Sequence, residues 1–337
     1  MRMRWWLLLG LVALVVGAVG GPYGVALVMT NVPGKSHTGP LPPLTPEEKA
    51  MAVVLKRHVE AIGSRPHNIE RYPDELEKAA RYIETALEGL GYTVNRQRFT
   101  VDETTVRNIE VTISPASASS TVPTIVVGAH YDSCGDAPGA NDNASGVAAV
   151  LELARLLRDL DGNTPKRIRL VLFVNEEPPY FQTPDMGSVR YAAELAARGE
   201  NVVAMYAFDD IGYYSSDPGS QHYPPPFNLI FGDKGDFVAF VAMTGSRELL
   251  NRTVASFRSH TAFPSVGGFA PGFVTGIDWS DHWSFAEKGF QALMITDTAI
   301  FRYPHYHKPT DTPDKVDAEK LARVVKGIER VVRDVAK

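Results

Sequence analysis

Residues 171–181, VLFVNEEPPYF, decide the fold. The apolar run here reads as a strand over Ile168–Asn175, too continuous to face water on one side. It runs straight into Glu176 and Glu177. Adjacent carboxylates repel each other and resist burial. A buried strand that ends on two of them has a use for them. Strand alternation suggests how the pair divides: one carboxylate turns toward a bound cation while its neighbour faces water.

Working outward, Thr124–Gly128, Val202–Phe208 and Ala292–Thr296 are further apolar runs, and Phe227–Phe231 reads the same way. Helical patterns separate them at Ala144–Leu160, Ser188–Ala197 and Arg247–Phe257, and a last helix covers Asp317–Val335. This rhythm specifies an α/β domain with a central mixed, mostly parallel sheet and helices on both faces. Upstream, Thr45-Pro46-Glu47-Glu48 starts a helix that stops near Gly63: a capping hydroxyl, proline in the first turn, then acids. A second helix covers Pro73–Leu90. Tyr92–Val101 and Arg107–Ser114 alternate like strands, and Ala116–Thr121 is a polar loop. No internal repeat is visible, so residues 45–337 read as one domain.

The 337-residue chain is 44% hydrophobic with net charge −5, which argues against a nucleic-acid partner. Arg2 and Arg4 precede Trp5–Met29, a run without charge. A membrane span needs roughly 20 apolar residues. Residues 1–30 are therefore expected to be a transmembrane signal-anchor, with a cleaved signal peptide as the rival. The chain would be membrane-anchored with its domain outside the cytoplasm, or secreted if cleaved. Proline-rich residues 31–44 read as an extended linker. Cys134 is the sole cysteine, so no intramolecular disulfide forms.

In parallel sheets, ligands bind beyond the carboxyl ends of the strands. His130 and Asp132 follow the first apolar run, and Glu176 and Glu177 the second. Asp209 and Asp210 follow the third; His305 and His307 come after the last. Four strand ends that all deliver His, Asp or Glu imply a shared polar site, and metal is the natural partner. Histidine and carboxylate donors suit zinc, with manganese or cobalt possible. So many carboxylates suggest two ions sharing a bridging carboxylate.

The ordered segments VVGAHYDS, GANDNASGVAAVLELARLL, FVNEE, MGSVRYA, FDDIG, SDHWSF and HYHKPTDT resemble the co-catalytic di-zinc exopeptidases of metallopeptidase family twenty-eight over about residues 60–330. That family includes bacterial leucyl aminopeptidases and glutamate carboxypeptidases, with glutaminyl cyclases as relatives. The resemblance implies two Zn2+ ions and a peptide substrate. It implies His130 and Asp209 on one metal, Glu177 and His307 on the other, and Asp142 bridging. It gives Asp132 an outer role orienting the ligand imidazole, Glu176 the role of general base, and Tyr306 a hydrogen bond to the tetrahedral intermediate. The expected activity is removal of N-terminal residues from peptides. Glutaminyl cyclase or glutamate carboxypeptidase chemistry, or a non-catalytic ectodomain, are the alternatives.

The segment after the glutamates, Pro178–Met186, is longer than the family pattern, and Tyr180 or Phe181 is expected to rim the pocket. Asp210 and His305 are the alternatives to Asp209 and His307. His282 is expected to support the site, and Cys134 to lie near it unpaired. Trp279, Trp283, Phe269, Phe273 and Phe301 are candidates for pocket lining or core. His37, His58, His67, His222 and His260 carry no partner signature. The sequon at Asn251 falls in a predicted helix.

Overall fold

Strand β3 (Thr124–His130) is buried at every residue, because it sits in the middle of a sheet covered on both faces. The computed structural model describes residues 20–117 and 122–337. Its sheet has eight strands in the order β1-β2-β4-β3-β5-β8-β6-β7. They are β1 Asn95–Val101, β2 Thr104–Ile113, β4 Arg167–Phe173, β5 Val202–Phe208, β6 Val238–Met243, β7 Ser265–Ala270 and β8 Ala292–Thr296. The pairs β3/β4, β3/β5, β5/β8 and β6/β7 are parallel. The pairs β1/β2, β2/β4 and β6/β8 are antiparallel, so the sheet is mixed.

The alternation of strand side chains builds two cores. Ile125, Val127, Leu170, Leu172, Tyr206 and Phe208 point into the larger one. It is closed by the helices Pro46–Ile62, Pro73–Gly89, Gly146–Leu156, Arg247–His260 and Ala318–Ala336. Val126, Val171, Phe173, Met205 and Ala207 point the other way, onto the helix Gly187–Ala197 and onto Phe285. The helix at Pro46 starts as its sequence predicts. The Glu48 amide donates to Thr45 Oγ1 at 3.1 Å, and Glu48 Oε2 accepts from the Thr45 amide at 2.7 Å.

Two strands, β6 and β7, were not anticipated, and Phe227–Phe231 is not a strand. Phe227–Leu229 is a short 3-10 helix instead. Pro224, Pro225 and Pro226 immediately before it supply no amide donors for a ladder. Phe227 packs with Ala26, Ala270 and Ile277 in a third, smaller core. In β7, Gly267 and Gly268 weaken the strand signal. They stand where Val32, Met29 and Thr30 pass close to the backbone.

The membrane-span expectation falls mostly on residues 1–19, outside the described residues. The helix Gly21–Thr30 is described, and among the described residues no helix is long and apolar enough to cross a membrane. Residues 31–44 are irregular, as their prolines predict, but they lie along the domain instead of projecting from it. Arg258 Nη1 donates to the carbonyls of Pro33 and Gly34, both at 3.0 Å, and the Ser265 amide donates to Ser36 Oγ at 2.8 Å. The predicted loop at Ala116–Thr121 lies partly in the undescribed residues 118–121.

Candidate metal centre

The carboxyl ends of β3, β4 and β5 meet at one place. His130 is the last residue of β3, and its Nε2 lies 3.4 Å from Asp142 Oδ1, 3.6 Å from Asp209 Oδ1 and 3.8 Å from Glu176 Oε2. The other oxygen of Asp142, Oδ2, lies 3.1 Å from His307 Nε2, which is 3.2 Å from Glu177 Oε2. Metal bonds of about 2.0–2.2 Å give neighbouring ligand atoms about 3.3–3.6 Å apart in a tetrahedron. The spacings therefore match two donor sets that share the Asp142 carboxylate, one oxygen to each.

Asp142 is placed by its neighbours. It lies in the turn Ala140–Ser145 ahead of the helix Gly146–Leu156. At the head of that helix the Gly146 amide donates to Asn143 Oδ1 at 3.1 Å. A Cβ at Gly146 would run into the Asn143 side chain. The backbone of the turn is held by Asp311, whose two oxygens accept from the amides of Asn141 (2.9 Å) and Asp142 (3.2 Å). Asn143 Nδ2 donates to the Phe208 carbonyl at 2.7 Å and stitches the turn to the end of β5.

The Glu176-Glu177 pair is aimed by a turn, not by strand alternation as the sequence had suggested. β4 ends at Phe173, and Asn175 adopts φ 58°, in the left-handed region. That bend carries both carboxyls to the same side. Asp132 then accepts from both amides, Glu176 through Oδ1 and Glu177 through Oδ2, each at 3.1 Å. This clamp is its main structural role; His130 Nδ1 approaches the Asp132 backbone carbonyl more closely, at 3.1 Å, than its carboxylate, at 3.7 Å. A proton on Nδ1 leaves Nε2 bare for a cation. Asp210 and His307 also have positive φ, 52° and 54°. Non-glycine residues rarely adopt it, and it clusters where side chains must be aimed.

The site holds more negative charge than its cations balance. Asp132, Asp142, Glu176, Glu177, Asp209, Asp210, Asp281, Asp297 and Asp311 are all buried. The Glu176 carboxyl is pushed well above the usual carboxylate range by burial, and Asp209, Glu177 and Asp281 push the same way against His130. Glu177 is pushed up to about 7, by burial and then by Asp142, despite His307. The His307 and His130 rings are held above the usual range, against burial, by the carboxylates around them. Among the described residues, Glu177 Oε1 is buried with no hydrogen-bond partner. An orphaned carboxylate oxygen between histidine and carboxylate donors fits a divalent cation, so the residues present suit zinc.

The alternatives fall outside the two sets. Asp210 accepts from Asn141 Nδ2 at 2.9 Å, beside Asp297 at 3.0 Å. His305 faces Thr310 Oγ1 at 2.9 Å. Tyr306 stacks on the His307 ring, with centroids 3.8 Å apart. Its hydroxyl is held far above the usual range by burial and by Asp142, which keeps its proton on. His282 is fully buried and donates from Nε2 to the Ile277 carbonyl at 2.8 Å. Asn141, Asn143, Asp281, Asp297 and Asp311 were not singled out from the sequence. Asp297 directly follows β8, so the strand-end rule that found the others would have found it.

A cleft enclosing about 850 Å³, part of it open to solvent, starts at Asp209, Asp210 and Tyr306. Its far wall is apolar: Phe227, Phe231, Ile277, Trp279, Met294 and Phe301, with Thr30 from the N-terminal segment. Trp279 and Phe301 were expected as possible lining. Tyr180 and Phe181 are not among the lining residues, because the Tyr180 hydroxyl is tied at 2.8 Å to Asp102 in the β1–β2 turn.

Known proteins resemble this chain in sequence and in fold. The model for "Peptidase family M28" matches residues 108–332. The uncharacterized protein YfbL of Escherichia coli is 39% identical over 265 residues, 76% of this chain and 79% of its own. A probable lipoprotein aminopeptidase, LpqL of Mycobacterium tuberculosis, is 31% identical over 62% of this chain, but the match spans only 42% of LpqL. The aminopeptidase from Aneurinibacillus sp. strain AM-1 has the same fold, with TM-score 0.64 at 20% identity over 86% of this chain and 95% of its own. A glutaminyl cyclase of Fimbriiglobus ruber shares the fold too, with TM-score 0.61 at 19% identity over 90% of this chain and 99% of its own. The family match over residues 108–332 shows that the chain, with its two carboxylate-histidine clusters joined by Asp142, belongs to Peptidase family M28 and is a hydrolytic metallo-exopeptidase.

Proposed function

We propose that the protein is a zinc aminopeptidase that removes apolar N-terminal residues from peptides, using two ions. The observation that carries this is the shared Asp142 carboxylate between two donor sets, beside an apolar cleft. His130, Asp142 and Asp209 would hold one ion; Asp142, Glu177 and His307 would hold the other. Divalent ions there would acidify a water and polarise the scissile carbonyl. Glu176 takes a proton from the attacking water and passes it to the leaving amine. Tyr306, protonated and beside His307, donates a hydrogen bond to the oxygen that gains charge. The free amino group of the substrate lies among the site carboxylates, including Glu176. Its side chain fills the space between Phe227, Trp279 and Phe301.

The charge-free run Trp5–Met29 behind Arg2 and Arg4 supports a membrane anchor and an extracytoplasmic domain. Fractionation, with protease added to intact cells, tests that part: a soluble, protease-shielded enzyme overturns it. A panel of aminoacyl-nitroanilides with and without chelator tests the activity. Leucyl and phenylalanyl substrates should turn over, and chelator should abolish the turnover. Cyclisation of glutamine-leading peptides without nitroanilide hydrolysis would move the reading to glutaminyl cyclase chemistry.

A further inference from the structure

We propose that Cys134 is a ligand of the second ion, together with Asp142, Glu177 and His307. The inference rests on the two-ion reading above and concerns a residue outside the family pattern. Sγ of Cys134, a carboxylate oxygen of Glu177 and a ring nitrogen of His307 all lie within 4.8 Å of one another. The orphaned Oε1 belongs to this same Glu177, whose side chain is only 5% exposed. The loop that carries Cys134 is built into the fold. Asn68 Nδ2 donates to the carbonyls of Ser133 and Gly135 at 3.0 and 2.8 Å, on either side of the cysteine. The Ser133 amide donates to the His67 carbonyl at 3.0 Å, and the Ala137 amide closes the turn on the Cys134 carbonyl at 2.9 Å. A thiol fixed in this way loses no backbone freedom when it binds.

The two halves of the centre then differ in kind. Asp142, Glu177, His307 and Cys134 offer four protein donors, the number that closes a zinc site. His130, Asp142 and Asp209 offer three, the number that leaves a position open for chemistry. On binding, the thiol loses its proton to solvent and a sulfur–metal bond forms. A thiolate also favours zinc over manganese. The second ion is thus selected and anchored, and the first is left accessible.

Cobalt(II) reads this directly. Thiolate bound to cobalt gives a near-ultraviolet charge-transfer band, and Cys134 is the chain's sole possible source of one. The full chain, stripped by chelator and titrated with cobalt, should develop the band. Cys134→Ser should bind cobalt, keep the visible ligand-field bands and lose the charge-transfer band. Its preference for zinc over manganese should fall about tenfold. Two cobalt ions per chain with no band in the wild type, or a band that persists in Cys134→Ser, overturns the proposal while leaving the two-ion reading intact. No retained cobalt overturns both. Should the variant fail to fold, alkylation of Cys134 in the wild type decides: zinc should slow it about tenfold or more relative to the stripped protein, and equal rates overturn the proposal.

Discussion

Strand β4 carries charge at both ends, and the two ends solve the problem of burial in opposite ways. At its start, Arg169 donates to both oxygens of Glu200, each at 2.9 Å, and to Glu110. The Tyr191 hydroxyl donates to the other oxygen of Glu110, and the Thr124 hydroxyl adds a second donor to Glu200 Oε1, each at 2.8 Å. Burial alone would raise the Glu200 carboxyl, but the bonds from Arg169 and Thr124 hold it below the usual range. At the other end, Glu176 and Glu177 have no arginine partner among the described residues, and their carboxyls are pushed up instead. Buried charge is tolerated where its partner is built in. Where it is not, the missing partner is something the chain must bind.

The largest expected effect comes from the unpaired end. Glu176→Gln should retain metal and lose about 10²–10⁴-fold in kcat. Glu177→Gln should lose an ion as well, seen by elemental analysis. Equal metal loss in both variants would erase the division of labour between them. At the paired end, Arg169→Met strands two glutamates. It should lower stability by roughly 3 kcal/mol in urea melts, with metal content unchanged. A drop in metal content would mean that the two ends are coupled.

A smaller effect follows from His282, which is fully buried and held down to about 4 by desolvation. Between pH 6.5 and 4 the unfolded state takes up the proton and the folded state does not. Stability is present in full above pH 6.5 and is lost as pH falls through that window, by about 2 kcal/mol at pH 5. His58, also lowered to about 4 by burial, adds in the same direction. His282→Gln should flatten part of the pH dependence of the urea midpoint. The smallest expected effect is at Asp132. Asp132→Asn leaves one acceptor for two amides and should weaken metal binding or turnover about tenfold. A variant that kept full activity would show that the clamp is dispensable.

Much of this was legible in the sequence because burial writes itself into strand composition. β3, β4, β5 and β8 are apolar runs within a residue or two of their observed limits, and the groups after them converge. His130, Asp142, Glu177, Asp209 and His307 were singled out together, and the fold brings them together. In β7 two glycines weaken the pattern, whereas β6 is itself an apolar run that was passed over for Phe227–Phe231, whose apolar residues follow prolines that cannot feed a ladder. The supporting acids were missed for a different reason. Asp311 holds the backbone of residues some 170 positions away, and nothing in the local pattern around it encodes that contact. Asp132 was read as a partner of the His130 ring, which it does approach; the two amides it also holds were not foreseen.

The packing of residues 20–44 against β7 also bears on how the enzyme meets its substrates. Thr30 is part of the cleft wall, and Val32 lies over Gly267. An enzyme domain expressed from Thr45 onward would therefore report the specificity of a breached cleft; one starting no later than Gly20 keeps the wall.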